Sequence, residues 1–93
     1  MLVGILQVDL SIPGAFSLKE KRSVVKSVIA RLQREHKVSA AEVDDLETWN
    51  RCRIGIALVG NDGRNLQSRL QKIANGLERE RDAVVLDTCI DII

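Results

Sequence analysis

The stretch FSLKEKRSVVKSVIARL, residues 16–32, locates the first helix, and the other elements can be placed relative to it. Its apolar residues recur every three or four positions, which predicts an amphipathic helix. Ser17, followed three residues later by Glu20, is a capping box that marks the helix start. We expect the helix to run from Leu18 to about His36. Its core stripe is predicted to be Leu18, Val25, Val28, Ile29 and Leu32.

Segments of alternating apolar and polar residues flank this helix and predict strands. They lie at Leu2–Leu10, Val38 to about Leu46, Arg51–Asn61 and Ala83–Ile93. Asp62 is expected to cap a second helix, because apolar residues at helical spacing follow it. The last strand is expected to face inward with Val84, Leu86, Ile90 and Ile92.

The resulting element order is strand, helix, strand, strand, helix, strand. Right-handed crossovers place both helices on one face of a single sheet. The sequence therefore predicts the α+β class: a ferredoxin-like βαββαβ sandwich with a four-stranded antiparallel sheet and two helices on one face. A chain of 93 residues fits one such domain, residues 1–93. The first and third strands are expected in the centre.

Composition excludes some classes of protein. The apolar fraction of 45% is that of a folded protein. No apolar run approaches the roughly 20 residues of a membrane span, and the first ten residues lack a basic leader, so we expect a cytoplasmic protein that does not enter membranes. Cys52 and Cys89 are expected to fill strand positions as small apolar groups, because two thiols alone form no zinc site.

The sheet face away from the helices, here called the open face, is a candidate binding surface. On the first strand it would present the odd-numbered residues. Ferredoxin-like domains that bind single-stranded RNA stack bases on aromatic residues of this face, but the two central strands hold none, so we reject that mode. An aliphatic patch suits a protein partner or a second copy of the chain. The candidate interface is Val3, Ile5, Ala57 and Val59; the alternative is a monomer with a partly apolar face.

Charge is segregated along the chain although the formal net charge is only +1. Residues 15–37 hold seven cations and two acids, whereas residues 38–50 hold four acids and no cation. Cations over the first helical turn oppose the helix dipole by about 0.3–1 kcal/mol, a cost that a docked anion would offset. The candidate contacts to phosphate of structured RNA are Lys19, Lys21, Arg22 and Lys26. The alternative is an ordinary solvated helix face.

Other conspicuous residues favour structural roles. Trp49 lies in an acidic turn and is expected to fold back as a lid on the core, with an interaction anchor as the alternative. His36 is expected to cap the first helix. The GNDG segment, residues 60–63, lacks the spacing of a phosphate loop and is interpreted as a turn. We find no candidate catalytic residues, metal ligands, cofactor or small-molecule substrate, so we do not expect an enzyme.

Three segments together resemble one family across nearly the whole chain. SLKEKRSVVKSV after a Pro-Gly turn, VSAAEVDDLETWNR and LVGND are similar to the YlxP-like family, also called domain of unknown function 503. The resemblance implies a ferredoxin-like fold and no catalytic residues to transfer. Bacterial genes of this family often lie among translation and ribosome-maturation genes, which implies, by association, a role near the ribosome or RNA.

Two hypotheses follow from the sequence. The first is a non-catalytic cytoplasmic module that contacts RNA or the ribosome through its basic first helix. The second is a protein-interaction or self-association module, with a homodimer as one form, that uses the open face.

Overall fold

The element order of the structure is the one that the sequence predicts. The computed structural model describes residues 1–93. The elements are β1 (Leu2–Ser11), α1 (Leu18–His36), β2 (Ser39–Asp44), β3 (Arg51–Gly60), α2 (Gly63–Leu77) and β4 (Val84–Ile92). Together they confirm the ferredoxin-like α+β class.

The four strands form one antiparallel sheet in the order β2-β3-β1-β4. The two central strands, β1 and β3, pair over their whole length, from Leu2 opposite Gly60 to Ser11 opposite Arg51. The prediction that the first and third strands are central is confirmed. This register also fixes which side chains share a face, because side chains alternate along a strand.

The core lies between the sheet and the two helices. The inward residues of β1 and β3 are almost fully buried, as period-two alternation requires. On α1 the buried side chains are Lys21, Val25, Val28 and Leu32. Leu18 and Ile29, both predicted for the core stripe, are only half-buried. On α2 the buried side chains are Leu66, Leu70, Ile73, Ala74 and Leu77. One charged residue, Lys21, therefore lies within an otherwise aliphatic core.

The helix ends follow local capping chemistry. The Asp62 carboxylate accepts hydrogen bonds from the Arg64 and Asn65 N–H groups, so it is the predicted N-cap of α2. Lys37 ends α1 in the left-handed conformation (φ 53°), and its N–H donates to the Gln33 carbonyl. Neither α1 nor α2 combines the length and the apolar character that crossing a bilayer would require.

The start of β4 departs from the predicted face. The register against β1 slips between Asp9 and Leu10, which leaves Leu86 as an extra residue in β4. Val85 therefore packs against the core, while Val84 and Leu86 are exposed. The prediction that Val84 and Leu86 face inward is wrong, because the bulge reverses side-chain alternation ahead of it.

Two glycines of the central strands lie against side chains of different freedom. A Cβ on Gly4 would lie 2.9 Å from Cδ1 of Leu70, which is fully buried. A Cβ on Gly55, on the open face, would lie 3.0 Å from Cγ1 of Val43, which is half exposed. The first neighbour is confined by the core, whereas the second borders solvent.

Candidate nucleic-acid interface

The start of α1 already satisfies part of its own backbone. The Ser17 hydroxyl accepts a hydrogen bond from the Glu20 N–H at 3.1 Å. The Glu20 carboxylate reaches back and accepts from the Phe16 N–H at 2.7 Å. The capping box is thus formed, and it places a carboxylate beside the first turn. A binding role for α1 accordingly rests on its side chains rather than on its free N–H groups.

Lys21 is buried and is held by a set of acceptors that we call the lysine clamp. Its ammonium Nζ donates to Glu42 Oε2 at 2.7 Å and to the carbonyl of Asp45 at 2.8 Å. The carbonyls of Leu46 and Arg51 lie 3.3 and 3.4 Å away. The lysine side chain is 0% exposed and that of Glu42 12% exposed. The clamp therefore joins α1 to the end of β2 and to the β2–β3 loop.

The prediction of Lys21 as an external phosphate contact needs correction. Its ammonium donates its hydrogen bonds to an internal carboxylate and three carbonyls, so it has no N–H left to donate to a ligand. Desolvating a lysine is expensive unless it is paired and hydrogen-bonded, and the clamp supplies both. The role of Lys21 is to fix the loop, not to bind at the surface.

The other three predicted cations remain at the surface. Lys19, Arg22 and Lys26, here called the cation stripe, are exposed, and none takes part in a salt bridge or a side-chain hydrogen bond. At about 100° per residue they fall within about 60° of one another around α1. The structure thus keeps these three together and unpaired.

The positive charge extends over both helices, which together form the helical layer. This layer holds nine cations and two acids, Glu20 and Glu35. Carboxylates pair with only two of the cations, since Lys21 meets Glu42 and Arg31 meets Glu80. The rest of the chain holds the other five of the 14 cations and eleven of the 13 acids. One face of the molecule is therefore strongly positive and the remainder negative.

The open face combines a small apolar cluster with polar ends. Val3 lies opposite Val59 and Ile5 opposite Ala57, so the four predicted interface residues are contiguous. Toward the other end of β1, Arg53 donates to Asp9 at 2.7 Å. This hydrogen bond, helped by the arginine charge, lowers the pKa of Asp9 against the opposing effect of burial.

The two cysteines differ in environment. Cys52 is buried in β3, and burial, aided by the negative charge of Glu42, raises the pKa of its thiol to about 11. Cys89 is exposed on β4, so both cysteines occupy strand positions as predicted, but only Cys52 packs in the core. His36 at the C-terminal end of α1 accepts, through its backbone carbonyl, a hydrogen bond from Arg69 of α2.

The two aromatic side chains of the protein meet outside the core. Phe16 and Trp49 have ring centroids 6.5 Å apart at 66°, an edge-to-face arrangement. Phe16 is 74% exposed and Trp49 is 46% exposed. The expectation that Trp49 folds over the core as a lid is wrong, because its ring packs against Phe16 at the start of α1.

Comparison with protein families now identifies the chain. A family model described as "Protein of unknown function (DUF503)" matches residues 3–90. The chain belongs to this family. The resemblance found in the sequence is confirmed, and the match includes the cation stripe, the lysine clamp and Trp49.

The chain is similar to one bacterial protein in sequence and to one solved structure in fold. "Uncharacterized protein YlxP" of Bacillus subtilis (strain 168) is 35% identical over 72 residues, covering 77% of this chain and 78% of the relative. A de novo designed protein with a ferredoxin fold, solved by solution NMR, superposes with a TM-score of 0.62. The two sequences are 17% identical, and the superposition covers 97% of this chain and 85% of the designed protein. This likeness concerns the fold alone.

The lysine clamp could have been found from helical spacing. Lys21, Val25 and Val28 are four and three residues apart, as residues of one helix face are. Glu42 lies opposite the buried Ile54 in the β2–β3 register, so it is an acid on the inward face of a strand. A lysine in an apolar stripe and an acid on an inward face indicate a buried ion pair. The meeting of Phe16 and Trp49, 33 residues apart, had no comparable local signal.

Proposed function

We propose that this protein is a non-catalytic cytoplasmic module that binds structured RNA through the phosphates, using its helical layer, and that it acts in translation or ribosome maturation. The observation that carries the proposal is the unpaired cation stripe within a layer of nine cations and two acids. The genomic setting of the family, as the resemblance implies it, supports the ribosomal context.

Charge of one sign on one face suits a polyanion. Seven of the nine cations of the helical layer have no carboxylate partner, so their charge is available to an external ligand. The acids lie mostly in the sheet and loops, which orients an RNA toward the helices. Double-stranded RNA is bound mainly by its shape and backbone, so contact through flexible lysine and arginine side chains is sufficient.

The direct test compares two charge-reversal variants. The first is Lys19→Glu, Arg22→Glu and Lys26→Glu together. The matched control is Lys37→Glu, Arg79→Glu and Arg81→Glu, which makes the same change in net charge at exposed sites outside both helices. Affinity for a fluorescein-labelled RNA duplex is measured by anisotropy, and folding is checked by circular dichroism.

The proposal predicts a strong loss in the first variant only. Three lost phosphate contacts should weaken binding about 130- to 500-fold at 0.1 M salt, because each contact contributes roughly 0.7–0.9 of a decade in affinity there. The control should lose far less. Equal losses in the two variants would mean that net charge, not the cation stripe, governs binding, and unchanged affinity in the first would remove the proposal.

Self-association through the open face is the second candidate function. The observation that favours it is the register, which brings Val3, Ile5, Ala57 and Val59 into one apolar cluster, with Val59 62% exposed. A two-fold axis could bury the same patch on both copies. Light scattering should then give a dimer mass that Ile5→Lys reduces to that of a monomer. A monomer at high concentration in the unaltered protein would count against it.

A further inference from the structure

The aromatic pair, Phe16 and Trp49, is exposed although the protein has no other aromatic side chain. Aromatic rings are the largest apolar groups available, and a stable core normally takes them in. Here the core is built from aliphatic side chains alone, and both rings lie at the end of the molecule where α1 begins. Exposed aromatic surface of this kind marks a contact site.

The aromatic pair is held in position from both sides. The lysine clamp fixes the carbonyls of Leu46 and Arg51, which precede and follow Trp49. The neighbouring carbonyl of Asn50 accepts from the Ile12 N–H at 2.8 Å, which ties the loop to the segment after β1. On the other side, the Glu20 carboxylate holds the Phe16 N–H. The rings are thus presented by anchored backbone.

Positive charge lies next to the pair along the chain. Lys19 follows Phe16 by three residues, and the exposed Arg51 follows Trp49 by two. Acidic side chains are also near the rings, since Glu20 accepts from the Phe16 N–H and Glu47 precedes Trp49 by two residues. Phosphates are therefore expected on the cation stripe farther along α1 rather than directly beside the rings. The exposed part of one ring, supported by the edge of the other and close to cations, suits a nucleobase with its phosphate.

We propose that Phe16 and Trp49 form a stacking platform for an unpaired base of an RNA whose adjoining phosphates lie on the cation stripe. This inference rests on the proposed function and specifies the class of RNA: a double-stranded stem next to a loop, a bulge or a single-stranded end. Base stacking, absent from the open face, occurs instead at the start of α1. The competing occupant is an apolar segment of a protein, which the test also addresses.

Trp49 is the only tryptophan, so its fluorescence reports the platform directly. Two RNAs with the same stem are compared, a hairpin with an unpaired loop and a blunt duplex. Each is titrated into the unaltered protein, Trp49→Ala and Trp49→Phe, with anisotropy of a label on the RNA as the readout of affinity. Circular dichroism verifies that the variants are folded.

The hairpin should quench Trp49 and bind more tightly than the duplex. Trp49→Ala should weaken hairpin binding about 5- to 150-fold, the range for one stacked base, and leave duplex binding unchanged. Trp49→Phe should retain most of the preference, because phenylalanine also stacks.

The outcomes separate the two proposals. If the duplex binds, and the hairpin shows neither preference nor sensitivity to Trp49→Ala, the platform is refuted, the pair is left to a protein partner, and the proposed function stands. If neither RNA binds at physiological salt, the proposed function fails and the platform with it. Loss of duplex binding in Trp49→Ala would also refute the platform, because an effect on paired RNA is not stacking.

Discussion

Lys21→Met tests whether the lysine clamp is the structural centre of the interface. Methionine preserves most of the side-chain volume but removes the ammonium, which leaves the Glu42 carboxylate and three carbonyls without their donor. Removing one partner of a buried ion pair costs about 3–5 kcal/mol. The total stability of a domain is only about 5–15 kcal/mol, so the loss is a large fraction of it.

Urea denaturation measures the lost free energy of unfolding and thermal denaturation measures the shift in Tm, both followed by circular dichroism at neutral pH. For a domain of this size each kcal/mol shifts Tm by roughly 4–8 °C, so Lys21→Met should lower Tm by at least about 12 °C. The control is Lys26→Met, the same change at an exposed position of the same helix, which should stay within about 0.5 kcal/mol of the unaltered protein.

A double-mutant cycle isolates the ion pair from the carbonyl contacts. Glu42→Gln keeps a hydrogen-bond acceptor and should cost less, about 1.5–3 kcal/mol. The coupling between the two sites should fall in the range of about 0.5–3 kcal/mol that contacting residues show. A Lys21→Met protein less than about 1 kcal/mol from Lys26→Met in stability would refute the reasoning.

Three further predictions concern other parts of the molecule. Gly4→Ala should cost about 1–3 kcal/mol in urea denaturation because it crowds a buried leucine, whereas Gly55→Ala meets a valine bordering solvent and should cost less; equal losses would contradict this. The pKa of Asp9 is lowered in the folded protein, so the ionised carboxylate stabilises the fold at pH values above the pKa of the unfolded chain. This stabilisation is lost as the pH falls through the pKa of the folded protein, so Asp9→Asn should lower the free energy of unfolding more at pH 7 than at pH 2; a loss that is the same at both pH values would contradict this prediction. With a thiol reagent at pH 8, Cys89 should react at once and Cys52, with its pKa of about 11, only on unfolding; two fast thiols would contradict the burial.

The fold could be predicted because its signals are local and consistent. Alternation gives the buried faces of β1 and β3, and the side chains of Ser17, Glu20 and Asp62 define the helix starts through hydrogen bonds to backbone within four residues. The start of β4 could not be predicted, because a bulge adds one residue to a strand without any mark in its composition.

The candidate site was predictable only where it depends on exposure along one helix. Lys19, Arg22 and Lys26 share a face by spacing alone, and they are at the surface. The residue type alone predicts that Lys21 lies at the surface, because lysine is usually exposed, although its spacing matches the buried stripe. Its partners come from β2 and the β2–β3 loop, 21 to 30 residues away, so the clamp depends on how α1 lies over the sheet.

The salt dependence of RNA affinity tests the central claim, that the unpaired cations of α1 bind phosphate. The measurement is the slope of log K against log salt concentration for an RNA duplex, in the unaltered protein and in the Lys19→Glu, Arg22→Glu, Lys26→Glu variant. Each lost phosphate contact removes about 0.7–0.9 from the slope, so the variant should be flatter by about 2–3. An affinity indifferent to salt, or equal slopes in the two proteins, would contradict the account.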